Sequence, residues 1–379
     1  MKKGWPTVPL GELCDVLDNK RKPITKRDRE TGEYPYYGAT GIKDYVSGYI
    51  FDEPLVLVGE DGAKWATGDQ TAFAVEGKCW VNNHAHVLRP HRTRLIDNWL
   101  IHFFFYSDLS EFVSGLTVPK LNQGNLREIP IPLPPLAEQQ RIVGLLDEAF
   151  EGLATAKANA EKNLQNARAL FESHLQSVFT QRGLGWKTKT LLETCGVVNG
   201  GTPKTGVPEY WDGNHRWITP AEMGKRLSPY VSDTERTITD LGLRNSSAQM
   251  LPPHSVILSS RAPIGYLVIN TEPMATNQGC KGLIPGDHLH HKFLYYYLSS
   301  IVDLLNSLGT GATFKELSGG KLKEVPVVVA PLLEQQQIVA KLDNLHEETQ
   351  RLARLYERKH AALEALKKSL LHQAFTGEL

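Results

Sequence analysis

Residues 115–147 and 311–343 align without a gap at an offset of 196, and sixteen of the 33 positions are identical. Unrelated segments of ordinary composition would share about two. The identities run from Gly115/Gly311, Thr117/Thr313 and Leu121/Leu317 to the strings Glu138-Gln139-Gln140 and Glu334-Gln335-Gln336. The starts of the two halves also match, at an offset of 181: Trp5, Leu10, Glu12, Cys14 and Val16 pair with Trp186, Leu191, Glu193, Cys195 and Val197. Between these anchors the similarity nearly vanishes. A repeat this long is no solenoid, whose units run to about 20–45 residues. The chain is one plan written twice, a variable block followed by a shared helical block: 1–134, 135–182, 183–330 and 331–379.

Each shared block opens with a proline-rich stretch, Ile129–Leu136 or Val325–Leu332, that reads as an extended strand entering a turn. Pro135 and Pro331 stand where a helix can start, with Glu138 and Glu334 in its favoured acidic first turn. An apolar stripe follows: Ile142, Leu146, Ala149, Leu153, Ala156, Ala160, Ala167 and Leu170, then Ile338, Leu342, Leu345, Leu352, Tyr356, Leu363, Leu366 and Leu370. The alternating spacings of four and three are the heptad pattern. Asn163 and Lys359 interrupt it, either to fix register or to face solvent. Each helix spans roughly 45 residues, about 65 Å. The simplest partner for one stripe is the other, an antiparallel coiled coil with a variable domain at each end and a pseudo-twofold axis between them. The variable blocks read as mixed and β-rich, with strands within Tyr49–Glu60 and Thr71–Leu88 and helices at Leu95–Val113 and Phe293–Leu308. The fold class is α+β.

Lys and Arg total 42 and Asp and Glu total 42, which excludes a polycation that holds nucleic acid by bulk charge. The start, Met1–Pro6, has no apolar core like that of a signal peptide, and no apolar run is long enough for a membrane span. Four separated cysteines (Cys14, Cys79, Cys195, Cys280) read as reduced thiols of a cytoplasmic protein. Phosphate-loop, dinucleotide and nucleophile-elbow motifs are missing. His84-Ala-His86 and His288–His291 lack partners at metal-ligand spacing. Asp69 with Glu76-Gly-Lys78 has the residue types of a Mg²⁺ nuclease, two carboxylates and a lysine. A charged hairpin produces the same string.

What remains is a recognition surface. Residues 19–29 carry six bases against one acid, a loop suited to phosphates; a solvated basic loop reads the same. Lys20, Arg21, Lys22, Lys26 and Arg27 are its candidates, joined by Lys64, Lys204, and Lys120 and Lys315 from the two glycine-rich loops. Asn82, Asn83, His84, Thr202, Thr219, Arg261, Asn277 and Gln278 can reach base edges, since Asn and Gln suit adenine and Arg suits guanine. Turn and core-edge roles fit many of these equally well.

The alternation resembles the specificity subunits of type I restriction–modification systems. The strings that carry it are Leu133–Val143 and Pro331–Val339, Tyr34–Gly41, Gly59–Gly62, Trp80–His86, Trp217–Pro220, Thr276–Cys280 and the ending Ala374–Leu379. The resemblance implies a non-catalytic reader of double-stranded DNA, in a bacterium or archaeon, with each variable domain taking half of a bipartite target. It also implies that the helices set the gap and dock two methyltransferase subunits, for which Glu138, Gln139, Gln140, Glu334, Gln335 and Gln336 are candidates. No cofactor is expected on this chain; S-adenosylmethionine, and ATP with Mg²⁺ on a restriction subunit, would reside on partners. The other readings are the nuclease at Asp69, Glu76 and Lys78 and a coiled-coil protein scaffold.

Overall fold

A computed structural model describes residues 5–115, 117–311 and 315–379. Residues 1–4, 116 and 312–314, Thr313 among them, lie outside the described residues. The chain forms two compact units, one of residues up to 162 with 356–379, the other of residues 163–355, so each long helix contributes to both.

In the first unit the apolar run Leu55–Gly59 becomes the central strand of a four-stranded antiparallel sheet, ordered Cys14–Val16, Ala85–Pro90, Leu55–Gly59, Ala72–Val75. Successive side chains of a strand point to opposite faces. Val56 and Val58 therefore enter a core with Leu10, Leu88, Trp99 and Phe104, while Leu55 and Leu57 meet Phe51, Val81 and Val87. A second sheet, ordered Gly41–Val46, Thr31–Gly38, Lys78–Val81, Phe51–Asp52, contains one parallel pair, Thr31–Gly38 with Lys78–Val81. The helix expected over Leu95–Val113 is Asp97–Tyr106. Beyond it Asp108 accepts the Ser110 N–H at 2.9 Å, a local bond that competes with helix propagation.

The second unit repeats the plan. Its five-stranded sheet runs Cys195–Asn199, Cys280–Pro285, Val256–Ser260, Ile264–Asn270, Tyr230–Val231. The smaller sheet is Arg236–Ile238, Trp211–Ile218, Met274–Thr276, again with one parallel pair, Trp211–Ile218 with Met274–Thr276. Val256 and Leu258 pack with Phe293 and Leu294, and Ile257 with Ile218 and Met274. The single helix expected over Phe293–Leu308 is two, His291–Ser300 and Val302–Leu308, broken at Ile301.

The long helices are Leu136–Thr180 and Leu332–Thr376, 45 residues each. In the first unit the start of one packs antiparallel to the end of the other: Lys157 Nζ lies 2.7 Å from Glu364, and His360 3.2 Å from Glu161. In the second, the Phe171 and His346 rings meet at 4.7 Å between centroids, tilted by 58°. The stripe holds through Ala167, which is buried, and departs from the heptad reading at Leu170 and Leu366. Leu170 and Leu366 are half exposed, and the inward residues are Phe171 and Lys367, the latter over Phe105 and Phe150. An α-helix of 3.6 residues per turn drifts about 20° per heptad against a 3.5 repeat, which moves the buried position by one. Asn163 and Lys359 face solvent.

The repeated Gln139 and Gln335 bind each long helix to its unit. Gln139 is fully buried; its Oε1 accepts the Ile96 N–H at 3.0 Å and its Nε2 donates to the carbonyls of Arg94 and Pro134 at 2.8 and 2.9 Å. Gln335 does the same with His290 N–H, His288 and Ala330 at 2.8, 2.9 and 2.7 Å. Asp147 takes His102 and Asn98, and its counterpart Asp343 takes Lys292 and Tyr296. The motif is a helix-start clamp, and neither buried glutamine has surface to offer a partner. Glu334 accepts the Trp186 indole N–H at 2.9 Å; Glu138, Gln140 and Gln336 remain accessible.

Candidate nucleic-acid interface

Strand registers bring one set of loops together in each unit. In the first, Val16 lies opposite Leu88, Gly59 opposite Ala85, and Tyr37 opposite Val81 in the parallel pair. The loops 17–30, 39–40, 60–71 and 82–84 therefore leave from the same end of the two sheets, and Lys120 joins them through a β-bridge to Asp61. In the second unit the same logic gathers 200–210, the start of 219–229, 261–263 and 277–279, with Glu316 bridging Arg261.

This end of the first unit is held by a buried charge cluster. Asp18 accepts from His86 Nδ1 at 2.6 Å and from the Val87 N–H at 2.9 Å, while His86 Nε2 bonds the Leu121 carbonyl at 2.7 Å. Glu60 takes Arg21 on one oxygen and Lys120, at 2.7 Å, on the other. Burial opposes ionisation of both carboxyls. Hydrogen bonds from His86 to Asp18, and from Lys120 and Arg21 to Glu60, outweigh it and hold both below the usual carboxylate range. Removing one member of such a set leaves an uncompensated buried charge.

The expected contact residues thus separate into two groups. Arg21 and Lys120 are struts of the cluster; Arg21 also donates to the Ala85 carbonyl at 2.8 Å. Asn82 is buried and its Oδ1 accepts the His84 N–H; Asn277 does the same for Gly279, both at 2.8 Å, and donates to Thr202 Oγ1. Thr219 caps the helix Pro220–Met223. These side chains shape the loops. Lys20, Lys22, Lys26, Arg27, Lys64, Asn83, His84, Lys204, Gln278 and Lys315 are exposed. Lys22 is placed by backbone alone, its N–H to Val81 and its carbonyl to the Trp80 indole, leaving the ammonium free of that bonding. A cleft of about 500 Å³ opens beside Lys64, walled by Tyr37 and Phe73 and rimmed by Thr40, Asp69 and Gln70.

Sequence reading missed Asp18 and Glu60, and set His86 aside for want of partners along the chain; strand register supplies them. It also paired Lys120 with Lys315. The repeat offset of 196 places Glu316 against Lys120, and the two β-bridges agree.

The nuclease arrangement does not form. Asp69 and Glu76 stand at opposite ends of the strand Ala72–Val75, about 13 Å of extended chain. Asp69 accepts the Ala66 N–H at 2.9 Å, and the Lys78 ammonium sits 4.8 Å from the Tyr49 ring centroid. Among the described residues the metal-capable group is Asp18, Glu60 and His86, where Arg21 and Lys120 already supply the positive charge. The four cysteines are unpaired and buried; burial pushes the thiols of Cys14 and Cys280 up to about 12 and those of Cys79 and Cys195 to about 11. Among the described residues no helix is long and apolar enough to cross a membrane.

Known proteins share this organisation. A specificity subunit of a type I restriction enzyme from Methanocaldococcus jannaschii, MjaIX, is 37% identical over 159 residues, 41% of this chain and 37% of that protein. The match thus spans little more than a third of that relative. A putative specificity subunit from Haemophilus influenzae is 27% identical over 350 residues, 88% of this chain and 86% of its own. In fold, the HsdS subunit from Thermoanaerobacter tengcongensis superposes with a TM-score of 0.64 at 22% identity, over 100% of this chain and 98% of that one. A chain from a study of assembly and conformational transition in a type I restriction–modification system reaches 0.77 at 21% identity, over 100% of both. The family model described as the type I restriction modification DNA specificity domain matches twice, at residues 2–164 and 184–357. Two similar units on one duplicated scaffold, matched twice over by that model, make this chain a member of the type I restriction–modification DNA specificity family.

Proposed function

We propose that this chain is the DNA-reading subunit of a type I restriction–modification complex and performs no bond chemistry itself. Each unit reads one half of a bipartite, asymmetric duplex target with its loop end. The observation that carries this is a shared scaffold presenting non-homologous loops: the strand registers repeat between units while the residues leaving them do not. Exposed Lys20, Lys22, Lys26, Arg27, Lys64, Lys204 and Lys315 contact phosphates, which fix position, and Asn83, His84 and Gln278 face base edges. Net charge near zero fits affinity shared with partner subunits.

The long helices set the unspecified gap and carry two methyltransferase subunits, docked near Glu138, Gln140 and Gln336. Those subunits hold S-adenosylmethionine and methylate adenine; a restriction subunit with ATP and Mg²⁺ joins for cleavage, all within the cytoplasm. The domain limits 1–134, 135–182, 183–330 and 331–379 describe recognition and spacer parts of this assembly. The test is co-expression with the methyltransferase encoded alongside, followed by genome-wide mapping of N6-methyladenine. A bipartite motif with an unspecified gap is expected. A continuous motif, or none from a verified complex, would refute the reading.

A further inference from the structure

The two units place opposite charges at one equivalent position. Glu60 and Ser260 occupy one place, since each donates its N–H to the carbonyl of His84 or Gly279 and accepts from Leu121 or Leu317; the next residue bridges to the glycine-rich segment, Asp61 to Lys120 in the first unit and Arg261 to Glu316 in the second. In the first unit the Asp61 carboxylate is paired with His84 Nδ1. The residue in His84's place is Gly279, since both follow an asparagine whose side chain accepts their N–H at 2.8 Å. That glycine is where Arg261 lies. Its Nε, the Asn277 Oδ1 and the Pro220 ring each come within 3.1 Å of where a Cβ on residue 279 would stand. The guanidinium therefore lies over bare backbone, aimed by the loop rather than by a tight ion pair. Glu316 is 3.8 Å away, and the two side chains are 36% and 45% exposed. Arg226 of the same unit, by contrast, is bound at 2.6 and 2.7 Å by Glu222 and Asp233.

We infer that Arg261 is the specificity-determining residue with which the second unit reads a G·C pair, its fork taking the guanine O6 and N7 acceptors in the major groove. In the first unit the same place is held by Asp61, already engaged by His84, so no arginine fork is presented there and the two half-sites are unlike. This rests on the proposed function above.

The test uses the full chain with its methyltransferase, reading the methylated motif for wild type, Arg261→Ala, Arg261→Lys and Gly279→Val. Arg261→Lys keeps the charge and loses the fork; Gly279→Val keeps the fork and displaces it. All three should relax one G·C position in one half-site, a loss of discrimination of about 5- to 150-fold, with the other half unchanged. An unchanged motif methylated more slowly by Arg261→Ala alone would make Arg261 a phosphate contact and overturn the inference, as would full discrimination by Arg261→Lys. No bipartite motif from the wild-type complex would instead overturn the proposed function, and the arginine's role with it.

Discussion

Replacing Gln139 with alanine should destabilise the first unit by about 3 kcal/mol and leave partner docking intact once the protein is folded. The side chain is fully buried and makes three hydrogen bonds of 2.8–3.0 Å, to Ile96 N–H and to the Arg94 and Pro134 carbonyls. Each such bond contributes about 0.5–1.5 kcal/mol net, so the three together come to about 3 kcal/mol. For a unit of this size 1 kcal/mol corresponds to about 2–4 °C, so the melting transition should fall by about 6–12 °C. Gln139→Glu should be no rescue, because an ionised carboxylate would face two carbonyl oxygens. The accessible neighbour changed in Gln140→Ala should stay within about 0.5 kcal/mol. Gln335→Ala should act equally on the second unit, and the double variant should be additive, since the two clamps share no partner. Calorimetry of the full chain, with hydrogen exchange at the Ile96 amide, reads this out. An unchanged melting curve together with lost methyltransferase binding would refute the clamp and return the motif to a docking role.

Three further outcomes follow from the same geometry. Alanine at exposed Lys20, Lys22, Lys26, Arg27 or Lys64 should lower the slope of log K against log salt by about 0.9 per phosphate contact without altering the motif, whereas Arg21→Ala should show first as lost stability; a motif change from a lysine variant would contradict the assignment. Burial, with His290, His254 and Lys292 nearby, lowers the His291 pKa from 6.5 to about 4, so the folded state prefers the neutral ring and stability is lost as pH falls through that window. The slope there should approach about 1.4 kcal/mol per pH unit, and His291→Gln should flatten it; depressed Asp18 and Glu60 extend the acid loss below their ordinary values of 3.8 and 4.5. Deleting four residues from the first long helix, about one turn, should change the methylated gap and keep both half-sites; altered half-sites would break the spacer idea.

The amino-acid sequence by itself determined the duplication, the two equal long helices and their start at Pro135 and Pro331, because repeats, proline geometry and apolar periodicity are local signals along the chain. It also carried the family through ordered strings such as Leu133–Val143. Only the tertiary structure decided what the repeated glutamines do, since nothing along the chain marks that Gln139 meets Ile96 and Arg94, more than 40 residues away. The same holds for Arg21 and Lys120, which look like free bases in a basic or glycine-rich loop and become struts once strand register brings Asp18, Glu60 and His86 under them. Lys120 and Lys315 looked equivalent by loop composition, although the gapless offset of 196 already sets Glu316 against Lys120, as the β-bridges do. A short-range pattern survives in a sequence because helices and turns are made of neighbours. A long-range contact is created only when strands pair, and it is there that a charged side chain becomes either a support or a reader.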